Sequence, residues 1–261
     1  MPELPDLQVF SQNLKKRILD KNINSVTVQN PRSIDRPEMF REKLTGTRIN
    51  DIVRDGKELR FLLANENSFS VHLMLSGKFF IASHEESEKI RSVIAAISFD
   101  DGQVFTVADY QRLCRVTLNP KPSKAPDALA QAFTCEYFAT TLKRNQWKNI
   151  KAVLIDQNVV RGIGNAYVDE ILWKAGISPE SAAGKIPEEK VKELYEAIPL
   201  VLNEAVQSIL KISPDIISGE ERGFLQVHNP RKKYTDSGDK IIVKTIASKT
   251  TYFTDTQKLF I

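Results

Sequence analysis

The chain has 261 residues, of which 41% are hydrophobic and 27% are charged, as in a folded protein with a substantial core. It contains neither the roughly 18 consecutive apolar residues of a membrane span nor a signal peptide, so we expect no membrane association. With only two cysteines, Cys114 and Cys135, the sequence excludes a disulfide framework and is typical of a reducing compartment. The formal net charge of +4 is weak evidence for a polyanionic partner.

The N-terminal half changes from a helical to a strand pattern. Apolar residues at near-helical spacing over residues 5–20 predict a first helix with a basic outer face. From about residue 24 to residue 118, apolar and polar residues alternate, and Asp-Gly and Ser-Gly pairs stand where hairpins would turn. This alternation predicts a mostly antiparallel β-sandwich, which we assign to a first domain over residues 1–118.

The C-terminal half is predicted to be helical and to end in a hairpin. Pro, Lys and Ser are concentrated in residues 119–135, which is typical of a linker. We assign a helical domain to residues 136–223 and a hairpin to residues 224–261, so the fold class is α+β. The predicted helices of this half cover residues 136–144, 149–158, 165–175 and 187–211.

The chain starts MPELP, with proline directly after the initiator methionine. One interpretation is that a small second residue merely permits removal of Met1. The other is chemical, because removal of Met1 would leave the secondary amine of Pro2 beside the carboxylate of Glu3. A terminal amine has a pKa of about 7.7–8.0, so a useful neutral fraction would exist near pH 7 for nucleophilic attack. The residues alone leave both interpretations open.

A Gly-x-Gly-Asn turn at residues 162–165 separates two predicted helices. Small residues permit close backbone approach, and the free N–H groups of the following helix favour a phosphate. The alternative is a structural corner between helices, which is the more common use of such a turn when it stands alone.

Four segments occur together in a characteristic order: MPELP, GKELRFLL at 56–63, HLMLSG at 72–77 and KAVLIDQNVVRGIGNAYVDEIL at 151–172. In this combination the chain resembles the formamidopyrimidine-DNA glycosylase / endonuclease VIII family over nearly its whole length. The resemblance implies an N-terminal β-sandwich with a flanking helix, followed by a helix-two-turn-helix domain that ends in a finger hairpin. It further implies a bifunctional DNA glycosylase and AP lyase of base-excision repair, which acts without a cofactor. We expect a nucleoid-associated cytoplasmic monomer that binds damaged double-stranded DNA.

The resemblance also implies roles for individual residues. Pro2 matches the nucleophile that forms a Schiff base at C1′, and Glu3 matches the acid/base that acts on the sugar ring oxygen. Lys57 matches the catalytic lysine, although a solvated hairpin lysine is the ordinary alternative. Asp6 stands where the family commonly has another carboxylate. The implied DNA-binding residues are His72, Leu75, Gln111, Arg112, Leu113, Lys151, Asn165, Glu170 and Lys249.

These DNA-binding residues fall into several kinds. His72 would contact a phosphate near the lesion, and Arg112 would lie on the DNA face. Lys151 and Asn165 would hold the backbone of the kinked strand, whereas Glu170 would lie near the recognition pocket. Leu75, Gln111 and Leu113 match the side chains that fill the gap left by the extruded base.

Two departures from the family pattern stand out. Met, Arg and Phe are usual at the gap-filling positions, so the uncharged Gln111 puts the preference for the opposite base in doubt. The segment before the hairpin is short, which weakens the case for 8-oxoguanine against oxidised pyrimidines, ring-opened purines or abasic sites.

The finger is the largest departure, because hydroxyl side chains replace the four zinc-binding cysteines. We therefore expect a zincless finger with no metal, in which Lys249 replaces a phosphate-contacting arginine. The four replaced positions are Thr235, Ser237, Thr254 and Thr256. We expect hairpin pairing to hold the finger, together with apolar contacts of Ile241, Val243, Tyr252 and Phe253.

Two alternatives to an enzyme remain. The altered gap-filling residues and finger are also compatible with a lesion-binding protein of this fold that has lost its chemistry. A basic two-domain protein without any nucleic-acid role would have to treat four ordered motifs as coincidence.

Overall fold

The computed structural model describes all residues, Met1–Ile261, and these divide into two compact units. The first unit comprises Met1–Pro122 together with Ile209–Glu220. The second comprises Ser123–Ser208 together with Glu221–Ile261. No helix in the chain is both long enough and apolar enough to span a membrane.

The first unit contains eight strands: β1 Ile23–Val28, β2 Ile49–Asp55, β3 Glu58–Leu63, β4 Ser68–His72, β5 Lys78–Ser83, β6 Val93–Phe99, β7 Gln103–Ala108 and β8 Arg115–Leu118. They form two four-stranded antiparallel sheets, in the orders β1-β6-β7-β5 and β2-β3-β4-β8. The inner faces of the sheets pack together, since the Phe61 ring of one sheet lies 5.5 Å from the Phe105 ring of the other. Within its own sheet, Phe61 stacks on Phe69 at 4.5 Å. This confirms the predicted antiparallel β-sandwich.

The flanking helix α1 covers Leu4–Ile18, close to the predicted residues 5–20, and three basic residues lie in its last turn. Two further helices were not predicted: α2 at Pro37–Leu44 and the short α3 at His84–Ser87. Helix α2 buries only Phe40 and Leu44, and such a two-residue apolar stripe is too short to give a periodic signal. Short 3-10 turns cover Pro31–Ser33 and Ala183–Lys185.

The second unit contains the predicted helices and ends in the predicted hairpin. The helices are α4 Cys135–Arg144, α5 Ile150–Ile155, α6 Asn165–Lys174 and α7 Glu188–Ile212, of which the last ends in the first unit. Strands β9 Ile241–Ile246 and β10 Lys249–Thr254 pair antiparallel. In the segment that resembles a linker, Ala128 is buried and its N–H donates to the Arg161 carbonyl at 2.9 Å, so this part is packed in the second unit.

Candidate active site

The chain start lies directly before α1. Pro2 is buried in the chain that carries Met1, and the Met1 ammonium group lies 2.7 Å from Glu220 Oε1. In this form the Pro2 nitrogen is an amide without nucleophilic character. Removal of Met1 would convert it into the terminal amine and remove the residue that precedes it.

Glu3 and Asp6 form a reciprocal capping box at the start of α1. The Glu3 N–H donates to Asp6 Oδ2 at 2.8 Å, and both side chains are buried. Capping satisfies backbone donors that a helix start would otherwise leave without partners. The contact of Asp6, which the sequence left uncertain, is therefore with the helix start, where it fixes the position of Glu3.

Lys57 lies in the tight turn between β2 and β3. Gly56 has a φ of 63°, a left-handed conformation that favours glycine. Arg54 ties this turn to α1, because its side chain donates to Gln8 Oε1 at 3.0 Å and to the Gly56 carbonyl at 3.1 Å. The elements that carry Glu3 and Lys57 are thus fixed to each other.

His72 lies at the end of β4. Its Nδ1 accepts the Met74 N–H at 3.1 Å, which leaves the proton on Nε2. Burial lowers the pKa of His72; among nearby charges, Glu58 raises it and Lys57 lowers it further. A neutral imidazole offers a phosphate an Nε2–H hydrogen bond without a positive charge.

Two loops of the first unit are joined by the buried carboxylate of Asp109. It accepts the Ser76 hydroxyl of one loop. It also accepts three backbone N–H groups of the other loop at 2.7–3.0 Å, those of Gln111, Leu113 and Cys114. Burial raises the pKa of Asp109, but the four hydrogen bonds together lower it by more than burial raises it, so the pKa lies below its ordinary value. Asp109 therefore remains ionised and fixes the conformation of both loops. Asp109 was not predicted as a site residue, although its spacing to the Gln111 N–H is that of an Asx turn.

The same two loops bring together the predicted gap-filling residues. The Leu75 side chain is 60% exposed and that of Leu113 is 36% exposed, and the Ser76 hydroxyl also donates to Gln111 Oε1 at 3.2 Å. Arg112 adopts the left-handed conformation with a φ of 58° and is exposed. The structure also exposes 72% of Tyr110, which the sequence analysis did not single out.

In the second unit, two of the predicted DNA contacts lie close together. Asn165 begins α6, and its Nδ2 donates to the Thr250 carbonyl at 2.9 Å, next to the exposed Lys249. Gly162 in the preceding turn has a φ of 100°, and its N–H donates to Gln157 Oε1 at 3.0 Å. The turn, the start of α6 and the start of β10 therefore form one patch.

The structure places the side chains of Lys151 and Glu170 inside the second unit, and their contacts with DNA stay predictions. The Lys151 ammonium group is fully buried and lies 2.7 Å from both Asp169 Oδ1 and Thr251 Oγ1. The Glu170 carboxylate accepts the N–H groups of residues 226–228 at 2.7–2.9 Å. Burial raises the pKa of Glu170, and these N–H donors oppose that effect. Both side chains therefore organise the interior of the second unit.

The finger is held together by local hydroxyl contacts. Thr235 and Ser237 oxygens lie 2.8 Å apart, as do those of Thr254 and Thr256, and the Thr254 N–H donates to Gln257 Oε1 at 2.8 Å. Ile241 and Phe253 are buried as expected. Val243 is 56% exposed, so the apolar contact predicted for it is wrong, because the middle of β9, residues 243–245, is exposed on both faces.

Comparisons with known proteins agree with this geometry. Two family models match: the formamidopyrimidine-DNA glycosylase N-terminal domain over residues 1–116 and the formamidopyrimidine-DNA glycosylase H2TH domain over residues 125–213. The formamidopyrimidine-DNA glycosylase of Enterococcus faecalis is 36% identical, with coverage of 80% of this chain and 77% of its own. That of Lactobacillus johnsonii is 31% identical and covers 87% of each chain.

Solved structures show the same fold. Lactococcus lactis Fpg in complex with DNA that contains an abasic site has a TM-score of 0.87 and 25% sequence identity, with coverage of 98% of this chain and 99% of that one. MutM in complex with DNA that contains carbocyclic 8-oxo-G also has a TM-score of 0.87, with 28% identity over 98% and 100% of the two chains.

Proposed function

The chain belongs to the formamidopyrimidine-DNA glycosylase family and is a DNA glycosylase of base-excision repair, and we propose that it uses Pro2 as the nucleophile of a combined glycosylase and AP-lyase reaction. One observation carries the proposal: the Pro2-Glu3 pair precedes α1, and the turn that carries Lys57 is tied to the same helix through Arg54 and Gln8. A nucleophile, an acid/base and a cation are thus held on two connected elements.

The reaction follows from these groups. The neutral Pro2 amine attacks C1′ of the damaged nucleotide, and the glycosidic C–N bond breaks as the base leaves with a proton. Glu3 handles the proton transfers at the sugar ring oxygen, which open the ring and give an iminium on Pro2. Loss of the C2′ proton then expels the 3′ phosphate, and a second elimination expels the 5′ phosphate. We assign Lys57 to the damaged base or its phosphate.

The chemistry requires removal of Met1, because an amide nitrogen cannot form an iminium. The test is borohydride trapping on duplex DNA with one abasic site, after intact-mass measurement has established that the chain starts at Pro2. We expect a covalent adduct with the processed protein, and none with Pro2→Gly or with a chain whose N-terminal extension keeps Pro2 in an amide bond. The matched control Pro5→Ala, also at the start of α1, should retain the adduct. Absence of an adduct with verified processed protein would overturn the proposal.

A second candidate function is binding of damaged DNA without chemistry. It is favoured by the uncharged Gln111 among the gap-filling residues and by burial of Pro2 when Met1 is present. It predicts salt-sensitive binding to abasic DNA that Pro2→Gly leaves unchanged, with no strand cleavage by any form.

For the substrate, we propose damaged duplex DNA with an extruded base, because exposed Leu75 and Leu113 lie on adjoining loops. Excision assays on duplexes with single defined lesions should show ring-opened purines, oxidised pyrimidines and abasic sites processed at least as well as 8-oxoguanine. We further propose that the protein acts as a monomer, which light scattering with and without DNA would test, and that it is associated with the chromosome, which fluorescence microscopy of the labelled protein in cells would test.

A further inference from the structure

A cavity of about 370 Å³ lies at one end of the sheet β1-β6-β7-β5. Ala108, the last residue of β7, pairs with Lys78 at the start of β5 and with Val93 at the start of β6, so three strand ends meet there. The volume is within the range of about 300–1,000 Å³ that is typical of small-ligand sites. The lining includes Lys78, Phe80, Lys89, Ile90, Arg91 and Tyr110.

Three cations and two carboxylates line the cavity: Lys78, Lys89 and Arg91, with Glu86 and Asp109. The Asp109 carboxylate already accepts the Ser76 hydroxyl and three backbone N–H groups. The Glu86 carboxylate accepts the Ser83 N–H at 3.0 Å and the Ser83 hydroxyl at 2.9 Å, and Lys89 pairs with Glu85 at 3.1 Å. The exposed Lys78 and Arg91 form no ion pair within the protein, so both cations are available to a phosphate.

Tyr110 supplies an exposed aromatic wall, and the backbone on either side of it is held by hydrogen bonds. Its neighbour Asp109 is fixed through the hydrogen bonds to its carboxylate, and the Asp109 N–H donates to the Ser92 carbonyl at 2.9 Å. Because 72% of Tyr110 is exposed, its ring contributes little to the packing of the protein. Isolated exposed aromatic residues are ordinary on protein surfaces, but this one borders a basic cavity. An exposed aromatic face beside cations is the arrangement that binds an unpaired base and its phosphate.

We propose that this cavity binds one unpaired nucleotide of the DNA, with its base stacked on Tyr110 and its phosphate on Lys78 and Arg91. The inference rests on the proposed function and deepens it. Leu75 and Leu113, the exposed apolar residues of the same loops, are placed to separate a base pair, which leaves an unpaired nucleotide next to the cavity. The site therefore senses the nucleotide that has lost its partner, and does so by stacking, without hydrogen-bond readout of base identity.

The first test compares Tyr110→Ala with Tyr110→Phe on duplex DNA with an abasic-site analogue opposite a 2-aminopurine. We expect Tyr110→Ala to weaken binding about 5- to 100-fold and Tyr110→Phe to bind as the unmodified protein does, because stacking requires only the ring. The quenching of 2-aminopurine that the unmodified protein causes should be lost in Tyr110→Ala alone. Equal binding and quenching by all three proteins would overturn the proposal.

The second test addresses the phosphate. Lys78→Gln and Arg91→Gln should each lower the dependence of log Kd on log salt concentration by about one, whereas Lys192→Gln, an exposed lysine of α7, should leave it unchanged. Unaltered slopes in both cavity variants would exclude a phosphate contact there.

A deoxynucleoside monophosphate distinguishes a DNA strand from a free nucleotide. If Tyr110→Ala impairs binding of the mononucleotide but not of the duplex, the assignment to DNA is wrong. Borohydride trapping at saturating abasic DNA should persist in Tyr110→Ala, so loss of this subsite is distinguishable from failure of the Pro2 chemistry.

Discussion

The substitution Asp169→Asn tests the buried ion pair of the second unit. Lys151 and Asp169 side chains are both 0% exposed, and Asp169 Oδ2 also lies 2.7 Å from His228 Nδ1 and 3.0 Å from the Tyr252 nitrogen. Asparagine has the same shape and keeps one acceptor oxygen, but it leaves the Lys151 ammonium group without a counter-charge. The substitution therefore isolates the electrostatic contribution from packing.

The expected loss follows from the burial. Removing one partner of a fully buried pair costs about 3–5 kcal/mol, and the retained oxygen places Asp169→Asn near the lower end, at about 3 kcal/mol. For a unit of this size, each kcal/mol lowers the melting temperature by about 4 °C, so we expect a decrease of about 12 °C.

Tryptophan fluorescence reports this transition selectively, because the only two tryptophans, Trp147 and Trp173, both belong to the second unit. The matched control Asp255→Asn removes an exposed carboxylate of the same unit and should change stability by less than about 0.5 kcal/mol. Adding Lys151→Met to Asp169→Asn should raise the melting temperature again, since no buried charge remains unpaired. Equal melting of Asp169→Asn and Asp255→Asn would refute the electrostatic argument.

Further predictions concern the other polar contacts. Because the pKa of Asp109 is depressed, its stabilisation is present above the unfolded-state value of about 3.9 and is lost as the pH falls through the folded-state pKa; the difference in urea midpoint between the protein and Asp109→Asn should therefore shrink below about pH 4. Glu170→Ala leaves three backbone donors unpaired, so hydrogen exchange at residues 226–228 should accelerate and the unfolding free energy should fall by about 3 kcal/mol, with a smaller loss in Glu170→Gln. Thr254→Val should cost about 1 kcal/mol through its lost hydroxyl contact, and a chelator should leave melting of the finger unchanged.

Periodicity predicted the regular elements of this fold well, because burial imposes it on the sequence. Alternation over residues 24–118 predicted the strands, and the apolar stripe of residues 187–211 predicted α7 to within one residue at each end. Helix α2 escaped detection because two buried residues do not define a period. The composition of residues 119–135 did not reveal that Ala128 is buried, because linkers and packed irregular segments share a high proline content.

The site was less predictable, because a residue type does not reveal its partner. A lysine in a DNA-binding motif has the same letter whether it faces solvent or an internal carboxylate, and the partner of Lys151 lies 18 positions away. A signal was nevertheless present, since Lys151 lies between Ile150 and Val153 on the buried side of a short helix. An ionisable residue within an apolar stripe indicates a buried pair before it indicates a ligand contact.

That buried pair also explains how the finger docks without cysteine ligands. A two-stranded hairpin is at best marginally stable by itself, so β9 and β10 need a partner surface. Three consecutive residues of β10 provide the contacts: the Thr250 carbonyl bonds Asn165, the Thr251 hydroxyl bonds Lys151, and the Tyr252 N–H bonds Asp169. Since all three partners belong to α5 or α6, the helices that form the Gly-x-Gly-Asn turn also fix the strand that begins with Lys249. Polar side chains of α5 and α6 therefore set the position of Lys249 by binding β10 directly. A metal at the arms of the hairpin is not needed to hold this lysine in place.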